Sequence, residues 1–164
     1  MEKSLADIKI RQSEPGDAGY VAYMHGRYYR NHYGFNPSFE YYSLKYLSEF
    51  VRDPSGGKLW IAVAGDKTVG SAAIVPIYRD TAQFRWFLVE DGYQNMGIGS
   101  KLINTALDFC RENNYSRVFL WTFKGLNSAR HLYDKTGFAL IEEKSNYEWS
   151  NKEIIEQKME LILR

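Results

Sequence analysis

The sequence has little of several features that would point to particular classes of protein. Its one cysteine, Cys110, excludes a disulfide within the chain and makes a cysteine-based zinc site unexpected. Lys and Arg number 21 against 20 Asp and Glu, so no excess charge favours nucleic acid or an anionic membrane as partner. No stretch approaches the roughly 18 consecutive apolar residues of a spanning helix, and no signal peptide is recognisable. We therefore expect a cytoplasmic protein that binds neither membranes nor nucleic acid.

Repeats, linkers and low-complexity segments are also missing. A chain of 164 residues with this composition is expected to form a single domain, residues 1–164, with a core of its own. The three histidines lack metal-ligand spacing, so no metal is expected and each is interpreted as an ordinary surface or core residue. Aromatic residues make up 16% of the chain and include 13 tyrosines. That is more than such a core needs, so some are expected to line a pocket.

The hydrophobic pattern alternates between the periods of strands and helices. Strands are expected at 8–11, 58–64, 69–75, 82–89, 116–123, 138–144 and 155–163, and helices at 18–33, 39–52, 99–112 and 127–136. The strand, turn, helix and strand between 82 and 123 form a crossover unit, which makes its two strands parallel. The whole order predicts an α/β protein with a mixed sheet and helices on both faces.

The segment Gly92-Tyr-Gln-Asn-Met-Gly-Ile-Gly99 joins an apolar strand to a helix. Free N–H groups in such a turn and the positive end of the helix dipole both favour an anion, and phosphate is the expected guest. The triphosphate loop would need a lysine where Ile98 stands. The dinucleotide loop would need a glycine where Leu102 stands. A tight turn that only packs the helix closely is the alternative without a ligand.

A third phosphate loop fits better. Gln94-x-x-Gly97-x-Gly99 resembles the pyrophosphate loop of the GNAT superfamily of acetyl-coenzyme A dependent acyltransferases, and 127–138, which ends in Tyr133-x-x-x-Gly137-Phe138, resembles that family's second cofactor segment. The likeness to the family covers approximately residues 8 to 163. The chain looks most similar to the acetyltransferase halves of proteins that fuse a MarR-type winged helix to a GNAT domain, at Leu120-Trp121-Thr122, Ala129-Arg130 and Leu132-Tyr133. This chain has no room for the winged helix, so DNA binding is not implied. The implied fold is GNAT-like: a central mixed, mostly antiparallel sheet of six to seven strands with a splayed parallel pair.

The resemblance implies where acetyl-CoA, the expected cosubstrate, would bind. Main-chain amides of 94–99 would bind the pyrophosphate, and the main chain of Leu88 and Val89 would pair with the pantetheine arm. Asn127 would either cap its helix or bond that arm. The full implied set is Leu88, Val89, Gln94, Asn95, Met96, Gly97, Ile98, Gly99, Ser100, Lys101, Asn127, Ala129, Arg130 and Tyr133.

Acetyl transfer from a thioester to an amine needs a neutral amine, support for the charge that develops on oxygen, and a proton for the departing thiolate. Tyr133 matches the family position of the general acid. Glu40, which lies among aromatic residues, and Glu90, at the end of the strand before the turn, are both candidates for the base, and water is the third. Cys110 lies on the apolar face of its helix, where packing is the expected role.

Tyrosines and phenylalanines crowd residues 28–46, the segment that forms the acceptor wall in this family. Phenol-rich walls suit the ammonium of a small amine or amino acid, so we expect an N-acetyltransferase that acts on a small-molecule amine by direct transfer in a ternary complex. A peptide or protein amine, a non-catalytic acyl-CoA sensor and a nucleotide-binding enzyme are the alternatives. The sequence leaves monomer and homodimer open.

Overall fold

The protein is described by a computed structural model over residues 2–163. The strands of that region are β1 Ile8–Gln12, β2 Lys58–Ala64, β3 Lys67–Tyr78, β4 Thr81–Val89, β5 Arg117–Phe123, β6 Ala139–Asn146 and β7 Ile154–Ile162. Its helices are α1 Asp17–Tyr33, α2 Pro37–Arg52, α3 Ile98–Glu112 and α4 Asn127–Thr136. Every predicted element is present within a few residues of its expected bounds. None of the described helices is both long and apolar enough to cross a membrane.

All seven strands belong to one sheet in the order β1-β2-β3-β4-β5-β7-β6. Five neighbouring pairs are antiparallel, and β4 and β5 are parallel. The parallel pair requires a crossover, which α3 supplies. The predicted mixed and mostly antiparallel sheet is therefore confirmed.

The parallel strands β4 and β5 separate soon after they meet. They pair only at Thr81 with Arg117, Ala82 with Val118 and Gln83 with Phe119, although β4 continues to Val89 and β5 to Phe123. Beyond Gln83 the edge of β4 that faces β5 has no strand partner in the described chain, so a gap opens in the middle of the sheet. The splayed pair that the resemblance implies is thus present.

A bulge in β4 bends the strand where the gap opens. The register with β3 shifts between Ser71 and Ala73, and Trp86 takes a φ of 46°, a left-handed conformation that bulky residues rarely adopt. The Ser71 hydroxyl donates a hydrogen bond of 2.6 Å to the Trp86 carbonyl. Bulges bend a strand and increase its twist, so this one directs the end of β4 away from β5.

Helices cover both faces of the sheet, because neighbouring strand residues point to opposite sides. Trp60 and Ala62 pack in the cluster that includes α3 and α4, whereas Leu59 and Ile61 pack with α1 and α2. Cys110 is fully buried in the first cluster, and burial raises the pKa of its thiol to about 12. A thiol that stays protonated is a poor nucleophile. The burial and the raised pKa therefore agree with the predicted packing role of Cys110.

A third cluster of buried aromatic residues closes one end of the gap. It consists of Tyr29, Phe35, Phe39, Phe123 and Trp149. The rings are joined by close contacts, such as Tyr29 with Phe39 and Phe39 with Trp149, whose centroids lie 5.0 and 5.2 Å apart. Part of the aromatic excess in 28–46 therefore builds a core that links α1 and α2 to β5.

Candidate active site

Two adjoining cavities lie where β4 separates from β5. The glycine-turn cavity, of about 190 Å³, lies between the end of β4, the start of α3 and the start of α4. The aromatic cavity, of about 110 Å³, lies between α1, α2 and the separated strands. Tyr29, Phe87 and Leu126 line both. Ligands in the two cavities would therefore meet at these three residues.

Most of the residues predicted to bind the cofactor surround the glycine-turn cavity. Those that line it are Leu88, Val89, Gln94, Asn95, Gly97, Ile98, Gly99, Ser100 and Ala129. The fold thus brings together two segments that are about thirty residues apart in the sequence, the glycine turn and the start of α4.

The glycine turn leaves the start of α3 open. Gly92, Asn95 and Gly97 all have left-handed φ values, of 80°, 61° and 90°. Gly97 precedes the helix and offers no side-chain cap, and the first turn contains no acidic residue. Unpaired N–H groups and the helix dipole then favour an anion at this point.

The side chain of Gln94 fixes the turn to its surroundings. Its Nε2 donates to the Val89 carbonyl at 3.0 Å and to the Tyr28 hydroxyl at 3.2 Å. The turn is therefore attached both to the end of β4 and to α1. This positioning role of the glutamine side chain was not predicted from the sequence.

Space around Gly99 is limited by two side chains that line the same cavity. A Cβ at this position would lie 3.2 Å from Phe87 Cζ and 3.3 Å from Leu132 Cδ2. At Gly97 a Cβ would lie 3.2 Å from Leu5 Cδ2, and the φ of +90° would strain any other residue. The two glycines therefore leave room for neighbouring side chains, in addition to their predicted role of letting phosphate approach the main chain.

Several predicted cofactor residues lie outside the cavity. The Lys101 ammonium donates to the Ile8 carbonyl at 2.9 Å, and Arg130 bonds Asp134 and Gln157, each at 3.0 Å. Met96 packs against the core. Asn127 is exposed at the first position of α4, and the cap residue is Leu126, without a side-chain hydrogen bond, so Asn127 does not cap the helix.

Tyr133, the predicted general acid, lines the aromatic cavity and is 5% exposed. Its ring centroid lies 5.9 Å from that of Phe87 and 6.0 Å from that of Phe138. Among the described residues its hydroxyl has no hydrogen-bond partner. Burial raises the pKa of Tyr133, so the phenol keeps its proton at neutral pH.

His25, predicted to be an ordinary surface or core residue, also lines the aromatic cavity and is 4% exposed. Its Nδ1 lies 2.8 Å from the Val21 carbonyl and therefore carries the proton, which leaves Nε2 as an acceptor. Burial lowers the pKa of His25 to about 4, so the ring is neutral. Its Nε2 and the Thr122 hydroxyl are the buried side-chain polar atoms without a partner in the described chain. The spacing of four residues between Val21 and His25 could have indicated that both lie on the buried face of α1.

The two carboxylates proposed as bases do not line either cavity. Glu40 is exposed on α2. Glu90 is 7% exposed and forms an ion pair with Arg27. It directly follows Val89, whose position at the edge of the glycine-turn cavity keeps Glu90 near the site. No group of three potential metal ligands occurs among residues 2–163.

Comparison with known proteins identifies related sequences and folds. A family model described as the acetyltransferase (GNAT) family matches residues 20–138. N-acetylaspartate synthetase of Danio rerio is 29% identical over 102 residues, which cover 62% of this chain and 36% of that protein. N-alpha-acetyltransferase 50 of Danio rerio is 28% identical over 113 residues, which cover 65% of this chain and 67% of that protein. The chain thus spans about a third of the first relative's length and two thirds of the second's.

A solved acetyltransferase from Salmonella typhimurium, determined with its cofactor acetyl-CoA, has the same fold. The two structures match with a TM-score of 0.74 at 16% sequence identity, over 96% of this chain and 95% of that one. The likeness to MarR–GNAT fusion proteins stays a prediction.

We expect Gly99→Ala to weaken binding of coenzyme A at least about tenfold, or about 1.4 kcal/mol. The added methyl group would push Phe87 and Leu132 into the cavity. Because the φ of Gly99 is ordinary, the free energy of unfolding should change little. Calorimetric titration with coenzyme A measures the affinity.

Gly19→Ala is the matched control, because a Cβ at this exposed position on α1 meets nothing within 4 Å. It should leave affinity unchanged and stabilise the helix slightly. Equal affinities for the two variants would contradict the assignment of the glycine turn.

Proposed function

The chain belongs to the GNAT family of acetyltransferases, and we propose that it transfers the acetyl group of acetyl-CoA to the primary amine of a small molecule or amino acid. The observation that carries this proposal is the meeting of two cavities at Tyr29, Phe87 and Leu126. With the cofactor in one cavity and the amine in the other, transfer is direct and both substrates are bound together.

The glycine-turn cavity is proposed to bind the cofactor. Acetyl-CoA, when bound, supplies an activated acetyl group and a thiol leaving group. N–H groups of 94–99 and the Ser100 hydroxyl would bind its pyrophosphate, and the main chain of Leu88 and Val89 would pair with its pantetheine arm as an added strand would. The uncapped start of α3 and the unpaired end of β4 support this assignment.

The aromatic cavity is proposed to bind the amine, with Tyr133 as general acid. Its hydroxyl is free to donate, and its raised pKa keeps the proton in place until a thiolate forms nearby. A phenol and a thiol have ordinary pKa values of about 10 and 8.5. Burial makes the phenol a weaker acid, so the donation depends on the negative charge of the thiolate beside it.

We propose that Glu90 or Glu40 removes the proton from the amine. A water molecule would carry the proton to the carboxylate, because neither carboxylate lines a cavity. Glu90 directly follows Val89, which lines the glycine-turn cavity. Its carboxylate forms an ion pair with the Arg27 guanidinium.

We expect Tyr133→Phe to lower turnover by about 10² to 10⁴, the usual contribution of a general acid, without loss of coenzyme A affinity. Thiol release from acetyl-CoA in the presence of an amine panel measures turnover. Tyr115→Phe is the matched control. Tyr115 is also buried, and its hydroxyl donates to the Gly56 carbonyl at 2.6 Å outside the site, so that variant should lose only about 1 kcal/mol of stability.

Unchanged turnover in Tyr133→Phe would remove this residue from the mechanism. Tight coenzyme A binding by the unmodified protein, with no thiol release for any amine, would instead indicate a non-catalytic acyl-CoA sensor.

The pH dependence of turnover identifies the base. A carboxylate accepts a proton only when ionised, so turnover rises as the pH increases through its pKa. We expect Glu90→Gln to lose that rise and Glu40→Gln to keep it, since Glu40 is exposed on α2. Glu142→Gln, on the exposed face of β6, is the control. If both Glu90→Gln and Glu40→Gln kept the rise, water alone would carry the proton.

A further inference from the structure

We propose that the acceptor is an amino acid whose carboxylate is bound by Arg85 and whose amine is oriented by His25 and Thr122. This inference rests on the proposed function and specifies the substrate class of the aromatic cavity. It comes from two kinds of polar group that line that cavity: a guanidinium without a close ion pair, and two buried atoms without hydrogen-bond partners in the described chain.

Arg85 differs from the other partly buried arginines of the described chain. Arg11, Arg27 and Arg130 each pair with a carboxylate, namely those of Asp17, Glu90 and Asp134. Arg85 forms no close ion pair with any described residue, and burial lowers its pKa more than the nearby charge of Glu49 raises it. A partly buried charge without an opposite charge beside it costs free energy. A ligand that carries the opposite charge offsets that cost.

Aromatic rings hold the Arg85 guanidinium in place. Its central carbon lies 4.5 Å from the ring centroid of Tyr46, 4.8 Å from that of Trp86 and 5.6 Å from that of Tyr42. Burial lowers the pKa of Arg85, yet arginine remains charged at any working pH. The Tyr42 hydroxyl accepts one hydrogen bond from the guanidinium. Its other N–H groups can donate to a planar, two-oxygen acceptor such as a carboxylate.

The other charged group of the cavity is already compensated. Glu156 also lines the cavity, and its carboxylate lies 3.8 Å from the Lys144 ammonium and accepts from Asn146 Nδ2 at 3.2 Å. Of these two charged side chains that line the cavity, Arg85 is the one without an ion pair, which favours an acceptor that carries an anionic group as well as an amine.

Whereas the carboxylate needs hydrogen-bond donors, the amine is expected beside a buried hydrogen-bond acceptor. His25 Nε2 has a free lone pair, and the Thr122 hydroxyl can accept or donate, while both side chains are more than nine-tenths buried. Leaving such atoms unpaired costs about 1–3 kcal/mol each. An amine N–H at His25 Nε2 removes that cost and places the nitrogen in the cavity that Tyr133 also lines.

Matched acceptors test this inference with the complete protein and acetyl-CoA. Each set contains an amino acid, its amide and the amine that lacks the carboxylate, for example phenylalanine, phenylalaninamide and phenethylamine. We expect kcat/KM for the amino acid to exceed that of the other two at least about tenfold, because a site built for a polar group rejects analogues that lack it. The amide also represents a peptide amine.

Arg85→Gln should reduce that preference at least about tenfold, mainly through KM of the amino acid, and Arg85→Lys should restore part of it because it keeps the charge. Arg79→Gln, an exposed arginine outside both cavities, should keep the full preference. His25→Phe should raise KM for all three acceptors, since it removes the acceptor for the amine.

The outcomes separate the two claims. Acetyl transfer that favours the amide or the amine without a carboxylate, or an unaltered preference in both Arg85 variants, would overturn the inference and leave the proposed function standing. No transfer to any acceptor would overturn the proposed function, and the inference with it.

Discussion

The structure depends on the separation of two parallel strands in the middle of its sheet. β4 and β5 share three residue pairs and then part, at the point where a bulge at Trp86, held by Ser71, bends β4. A sheet interrupted in this way leaves main-chain groups without partners and side chains from both faces beside one gap. These unpaired groups normally cost stability, so their presence at one place indicates a position that a ligand completes.

The elements around the gap each contribute one kind of chemistry. The end of β4 offers a free strand edge, the glycine turn offers the open start of α3, and α4 brings Tyr133 to the cavity beside it. From the other side, α1 supplies His25 and Tyr29, and β4 itself supplies Arg85. The two cavities share a wall, so a thioester in one and an amine in the other would lie next to each other.

Local sequence patterns predicted most of the fold and located the glycine turn of the candidate site. The period of apolar residues located the helices and strands, and the glycines at 97 and 99 located the start of α3, because these signals depend on nearby residues only. The bulge at Trp86, the free nitrogen of His25 and the unpaired Arg85 depend on which residues become neighbours across the sheet. A lone histidine and a lone arginine carry no local signal of that kind, and for the same reason the exposure of Glu40 was not foreseen.

Thermal unfolding in the presence of different ligands tests whether the cavities beside β4 bind acetyl-CoA. A ligand that binds only the folded state stabilises it by about 2.7 kcal/mol at a hundred times its Kd. We expect acetyl-CoA to raise the Tm of the unmodified protein, and ATP and NAD at the same concentration to leave it unchanged. A Tm raised by ATP or NAD but not by acetyl-CoA would contradict this expectation.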